Sequence, residues 1–298
     1  MLDRRTLAVC YSETMIGLAI KRTGMSVLFG LGFFMSWAIL MSIVMANEAL
    51  INPTRLQENH ALLRLWQEAV PLLAVLAATW LFAGKIGGEA GFPPLAGKDW
   101  VKSLLFGALV GAGWLITSTL LLVLMGWLQL EGTNHVSALA IWFSALAINV
   151  IMQEYLVRGY LFLIIKERHS MLAAVIITTI LFTLMHGLQG GVLGVANVVA
   201  ASLVFTLLLV RTGSLLAPIV AHIVWNGVGG VLLGVISLGG VYPSLLAVSQ
   251  HGNDIVAGGE AMLEGSIITL LVSITVILGL WLIKPRLRSI AGSTASNT

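Results

Sequence analysis

Charge is what this chain has least of. Lys, Arg, Asp and Glu make up 10% of its 298 residues, against about 25% in a soluble domain. With 58% hydrophobic residues and a mean hydropathy of +0.98, a soluble globular protein is excluded. Cysteine occurs once, as Cys10 ahead of the first apolar run, so the chain builds neither a disulfide nor a cysteine metal cluster. The patterns HExxH and GxSxG are absent, which removes the usual zinc-protease and serine-hydrolase signatures. Asp is missing from every apolar run, since Asp3, Asp99 and Asp254 all lie outside them, and an aspartyl mechanism fails with it. The first apolar run is too long for a signal-peptide core and has no small-residue cleavage site behind it, so no segment is expected to be removed. No internal repeat and no soluble domain is evident.

What the chain does have is long apolar runs. Runs of about 20 residues read as membrane helices, whereas a barrel would show short alternating strands. We expect an all-α polytopic protein with about eight spans: 25–46, 65–84, 103–128, 136–165, 171–186, 192–210, 215–235 and 262–283. Residues 1–24 read as an interfacial N-terminal segment, 25–284 as the membrane domain with its site core at about 136–235, and 285–298 as a basic tail. Residues 85–101 and the Gly-rich stretch 236–261 read as loops. Gly107 and Gly111 give the third span a GxxxG face for close helix contact.

The basic residues fix an orientation. Arg4, Arg5, Lys21, Arg22, Lys85, Lys98, Lys102, Lys166, Arg168, Arg211, Lys284, Arg286 and Arg288 fall on the side of the two termini, and only Arg55 and Arg64 on the other. The positive-inside rule then puts both termini in the cytoplasm. The same asymmetry accounts for the pI of about 9.2 without a nucleic-acid partner.

Against this apolar background the stretch 149–162 stands out, because Asn149, Gln153, Glu154 and Arg158 interrupt a full membrane span. An ionisable group at that depth costs roughly 3 kcal/mol even on lenient insertion scales and is a functional hypothesis by default. Glu154 and Arg158, four apart, share a helix face and compensate one another. The fifth span ends on Phe182 to His186, and the seventh carries His222 and Asn226, again four apart. At 1.5 Å per residue these groups sit about 14 to 24 Å from the cytoplasmic ends, near the middle of a core about 30 Å thick. Three helices thus converge on one buried polar cavity. Charges are expected to line only the fourth span. Glu68 and Asn197 read as locally paired, His60, His135, His169 and His251 as solvated loop residues, and the nine Trp as core and interface anchors.

Such a set suits hydrolysis. A carboxylate with a His can position and deprotonate a water, while a second His and an amide aim donors at an oxyanion. Glu with two His also makes a plausible zinc triad, although the spacing is not itself metal-specific.

At these residues the chain resembles the CPBP family of CAAX-type intramembrane endopeptidases and bacteriocin-processing or immunity proteins. The family's EExxxR, FxxxH and HxxxN patterns appear as Gln153-Glu154 to Arg158, Phe182 to His186, and His222 to Asn226, over roughly residues 100–235. The resemblance implies a metal-independent glutamate peptidase without cofactor, acting on a peptide or lipidated protein near its membrane-embedded end; the compact chain with no organelle signal suggests a prokaryotic plasma membrane. It implies that His186 helps the glutamate hold the water, that His222 and Asn226 form the oxyanion site, and that Arg158 orients the glutamate pair. The sequence departs at the first acid, where Gln153 keeps the shape of Glu but cannot take a proton at neutral pH. Three readings follow: an engineered Glu→Gln silencing, a natural non-proteolytic member that binds without cutting, or Glu154 acting as the base. A binding, regulatory or immunity protein and a transporter are the competing classes; a transporter would show paired broken helices with repeat symmetry.

Overall fold

A computed structural model describes residues 4–46, 59–82, 95, 99–187 and 190–284. Asp3, Arg55, Lys85, Lys98 and the basic tail 285–298 fall outside the described residues. Each expected span has a helical counterpart: α1 Arg4–Ala46, α2 His60–Leu81, α3 Trp100–Leu124, α4 Leu139–Arg168, α5 Met171–His186, α6 Gly191–Thr212, α7 Leu216–Leu232 and α8 Ile267–Trp281. Five of them (α1 over Thr23–Ala46, α2, α3, α4 and α6) are long and apolar enough to cross a membrane, and α5, α7 and α8 are shorter apolar helices. A helix suits lipid because it pairs every backbone polar group within itself. Ends are fixed locally: Asn59 accepts the Leu62 N–H and Ser170 the Ala173 N–H, while Gly213 closes α6 in a left-handed conformation.

The distribution of polarity is inverted relative to a soluble protein. Large apolar side chains such as Val192 (87%) and Leu109 (71%) face outward, whereas Glu154 and Arg158 are fully buried. Helix α2 packs along α4, α3 along α7, and α6 against α8. The Gly107 and Gly111 face does what its spacing predicts. A Cβ at Gly107 would lie 2.9 Å from the Ala217 Cα, and one at Gly111 2.8 Å from the Ala221 Cα, so glycine lets α3 and α7 touch backbone to backbone.

Two expectations about the connections need correction, while the mostly helical fold fits the expected all-α class with one small addition, β1 Leu128–Thr133 paired antiparallel with β2 Leu246–Gln250. A bulge lies between Leu130 and Gly132, where Gly132 (φ 154°) takes up the irregular step. The stretch 236–261 is not a plain loop: besides β2 it holds a one-turn helix at Asp254–Ala257 and short 3-10 turns. Helix α8 begins at Ile267, capped by Ser266, so 262–266 belong to this connection.

Candidate active site

Helix α4 changes character at Glu154. It is α-helical from Leu139 to Glu154, π-helical from Tyr155 to Leu161, and α-helical again from Phe162. Helix α7 does the same, turning π-helical at Val224 between His222 and Asn226. Single π segments inside α-helices concentrate at functional sites, and here both core helices widen where their polar residues lie.

Glu154 is sealed. Its Oε1 accepts from Arg158 Nη1 at 2.8 Å and faces His222 Nδ1 at 2.9 Å, while Oε2 has no hydrogen-bond partner. Arg158 is held on its other side by α6, donating from Nη2 to the Ser202 carbonyl (3.1 Å) and hydroxyl (3.0 Å), with Nε 3.4 Å from Thr206 Oγ1. Its guanidinium also lies 4.7 Å from the Phe182 ring centre and 5.3 Å from that of Phe205, a cation–π arrangement in a desolvated setting. The expected Glu154–Arg158 pair is present. Its supporting residues Ser202, Thr206 and Phe205 on α6 escape a reading of the sequence, since Ser, Thr and Phe are ordinary in membrane helices.

The histidines can be assigned tautomers from their partners. His222 meets a carboxylate at Nδ1, so that nitrogen carries the proton and Nε2 accepts from Asn226 Nδ2 at 3.1 Å. The ring is stacked on Phe205, with centres 4.4 Å apart. His186 Nδ1 lies 2.8 Å from the Phe182 carbonyl, which can only accept, so His186 presents the Nε2 lone pair.

Two adjoining spaces meet these groups. A cavity of about 210 Å³ is bordered by Gln153, Asn149, His186, Asn226, Tyr242 and Glu264, among others. A smaller one of about 20 Å³, room for a single water, is bordered by His186, Asn197, His222, Trp225, Asn226 and Glu264. Glu154 and Arg158 border neither. The convergence of α4, α5 and α7 therefore holds, but adjacent residues 153 and 154 part company: Gln153 meets the cavity and Glu154 does not.

Gln153 is tied into a second network. Its Nε2 donates to Asn149 Oδ1 (2.6 Å), and Asn149 Nδ2 donates to Glu68 Oε2 (2.6 Å). Glu68 also pairs with Arg64 and accepts from the Tyr242 hydroxyl at 2.8 Å. Local pairing of Glu68 was expected, and so was that of Asn197, whose Nδ2 donates to the Leu193 and Ser266 carbonyls. The expectation that charges line only the fourth span is wrong. Glu68 is buried on α2, and Glu264 reaches the cavities from the connection ahead of α8. Glu264 lies inside the apolar run assigned to the eighth span, so the rule that flagged Glu154 applies equally to it. His60, His135, His169 and His251 are exposed. Among the described residues, no three His, Cys, Asp or Glu side chains come together as a metal site.

No curated protein and no solved structure matches the chain. One family model does, over residues 135–228, a stretch that holds all six residues expected at the site. Its description is type II CAAX prenyl endopeptidase Rce1-like, the CAAX-protease family that the three motifs resemble.

Proposed function

We propose that the chain is an intramembrane endopeptidase that hydrolyses a peptide bond near the membrane-embedded or lipidated end of a substrate, without a metal. The observation that carries this reading is the linked set Glu154–His222–Asn226, of which His222 and Asn226, with His186, border a space for one water, next to a larger cavity that His186 and Asn226 also border. Glu154 acts here as a positioning residue. Its carboxylate fixes the Nδ1 proton of His222, so Nε2 accepts one amide hydrogen of Asn226 and leaves the other for the oxyanion of the tetrahedral intermediate. His222 gains an Nε2–H of its own when protonated. Arg158 holds Glu154 in place, and His186 accepts a hydrogen from the water through Nε2.

Peptides with a prenylated C-terminus and peptides anchored by an apolar segment are the substrate classes to try, both reaching the cavity from the bilayer. The basic-residue asymmetry supports cytoplasmic termini, and we assign the chain to a prokaryotic plasma membrane.

The test is cleavage in proteoliposomes by the chain beside its His186→Ala and Asn226→Ala variants. Loss of cleavage in both supports the reading, and unchanged cleavage in both ends it. A chain that binds such peptides and cuts none favours the non-proteolytic reading, to which the amide at Gln153 points.

A further inference from the structure

At the position where the resemblance places the water-activating acid, this chain has an amide, and the neighbouring Glu154 borders neither cavity. A peptidase still needs a proton acceptor beside its water. Among the described residues bordering the one-water space, Glu264 alone has a carboxylate. It borders that space together with His186, His222 and Asn226, and borders the larger cavity together with Gln153.

Glu264 is held rather than loose. The residue before it, Leu263, donates its N–H to the Val235 carbonyl at 3.1 Å, and Asn197 Nδ2 donates to the Ser266 carbonyl at 3.0 Å. Trp225, beside Asn226 on α7, borders the one-water space together with Glu264. Trp225 is itself stacked on Trp114 at 3.8 Å, and Trp114 Nε1 donates to Ser273 at 3.0 Å. The turn carries strain: Met262 has φ 55° and ψ −139°, a left-handed conformation that costs a non-glycine residue about 1–3 kcal/mol. Gly258 (φ 107°) and Gly265 allow the close crossing behind it, where a Cβ on Gly265 would lie 3.1 Å from the Gly258 Cα. Backbone bonds and a strained turn thus hold Glu264 at the border of both spaces, next to the stacked indoles.

We infer that Glu264 is the catalytic base of this peptidase, taking over from the connection before α8 the role that Gln153 on α4 cannot fill. This rests on the peptidase reading above. The water in the small space gives one hydrogen to Glu264, and the other points at His186 Nε2 or at Asn197 Oδ1, which has no partner. As the proton passes to the Glu264 carboxylate, the water oxygen bonds to the scissile carbonyl carbon, and the carbonyl oxygen becomes the oxyanion facing Asn226. Collapse of the intermediate breaks the C–N bond, and Glu264 returns the proton to the leaving amine. Glu264 sits in a short 3-10 turn ahead of α8, outside the spanning helices, where burial raises its carboxyl from the ordinary range to about 7, a suitable value for a base working near neutrality.

The experiment compares the whole chain in proteoliposomes with Glu264→Gln, Gln153→Glu and the double variant, using a set of prenylated and apolar-anchored peptides. Glu264→Gln is expected to cut about 10²–10⁴-fold more slowly with peptide binding unchanged. Gln153→Glu in that background is expected to restore cleavage, because both positions border the same cavity. Rescue also shows that Glu264→Gln folds. The rate of the unaltered chain should climb through about pH 7, and that limb should move in the rescued double variant. If Glu264→Gln cuts as fast as the unaltered chain while His186→Ala does not, Glu264 is not the base and the peptidase reading stands. If only chains carrying Gln153→Glu cut, whether or not Glu264 is present, the base belongs at position 153 and the assignment of Glu264 is overturned. If no variant cuts any peptide, both readings fall together.

Discussion

Gln153 and Glu154 are adjacent on α4, yet they belong to two different halves of the polar interior. On the Glu154 side lie Arg158, Ser202 and Thr206, which border neither of the two spaces, with the rings of Phe182 and Phe205 as the wall between them and the smaller one. On the Gln153 side lie His186, Asn226 and Glu264, around spaces that admit water and a larger guest. One half carries a buried ion pair and the other borders the two spaces. In the function proposed here, the fully buried Glu154 holds its neighbours still, and the chemistry takes place in the half that stays open.

The comparison is most severely tested by damage to the sealed half. Arg158→Met removes the cation paired with Glu154, and stranding a buried charge costs about 3–5 kcal/mol. We expect most of the stability of the detergent-solubilised protein to be lost, read as a fall in its unfolding temperature, with cleavage lost as a result. A variant that melts as the parent does would mean that the pair is not the anchor described here.

The open half should answer in rate and not in stability. His186→Ala removes one ring at a helix end, half-buried and hydrogen-bonded only within its own turn. Cleavage should drop about 10²–10⁴-fold while the unfolding temperature shifts little. Asn226→Ala should cost about 10²–10³-fold in kcat, the scale of one oxyanion donor, with KM nearly unchanged. The smallest effect is expected at Tyr242, which borders the cavity and donates to Glu68. Tyr242→Phe forfeits one hydrogen bond to a charged group, about 1.5–3 kcal/mol, and should raise KM more than it lowers kcat. A mainly kcat effect there would draw Tyr242 into the chemistry.

Much of this was legible in the sequence because bilayer thickness imposes a length on apolar runs and a price on polar interruptions. The eight helices follow from run lengths, and Gly107 with Gly111 from small-residue spacing. The meeting of α4, α5 and α7 follows from depth alone; His186, His222 and Asn226 share a cavity border, whereas Glu154 reaches it only through His222. Other features left no such trace. Strand β1 sits directly behind an apolar run, and its partner β2 lies more than a hundred residues on, so neither local pattern signals pairing. The π segments after Glu154 and Ile223 shift backbone hydrogen bonds without changing composition. Glu264 was hidden for a different reason: at the edge of an apolar run it reads as a span boundary, and only the fold of 254–266 turns it inward. Ser202 and Thr206 support Arg158 through hydroxyls that are common in any membrane helix.

The most direct test of the central claim, that hydrolysis takes place at the open half of the interior, is a paired measurement on the chain and its His186→Ala variant. Cleavage of an anchored peptide in proteoliposomes and the unfolding temperature would be recorded on the same preparations. The account predicts that the chain cuts, and that the variant has lost at least a hundredfold in rate, on the scale of one general acid–base group, while melting as the chain does. A chain that leaves every peptide intact, or a variant that cuts as fast as its parent, would contradict it.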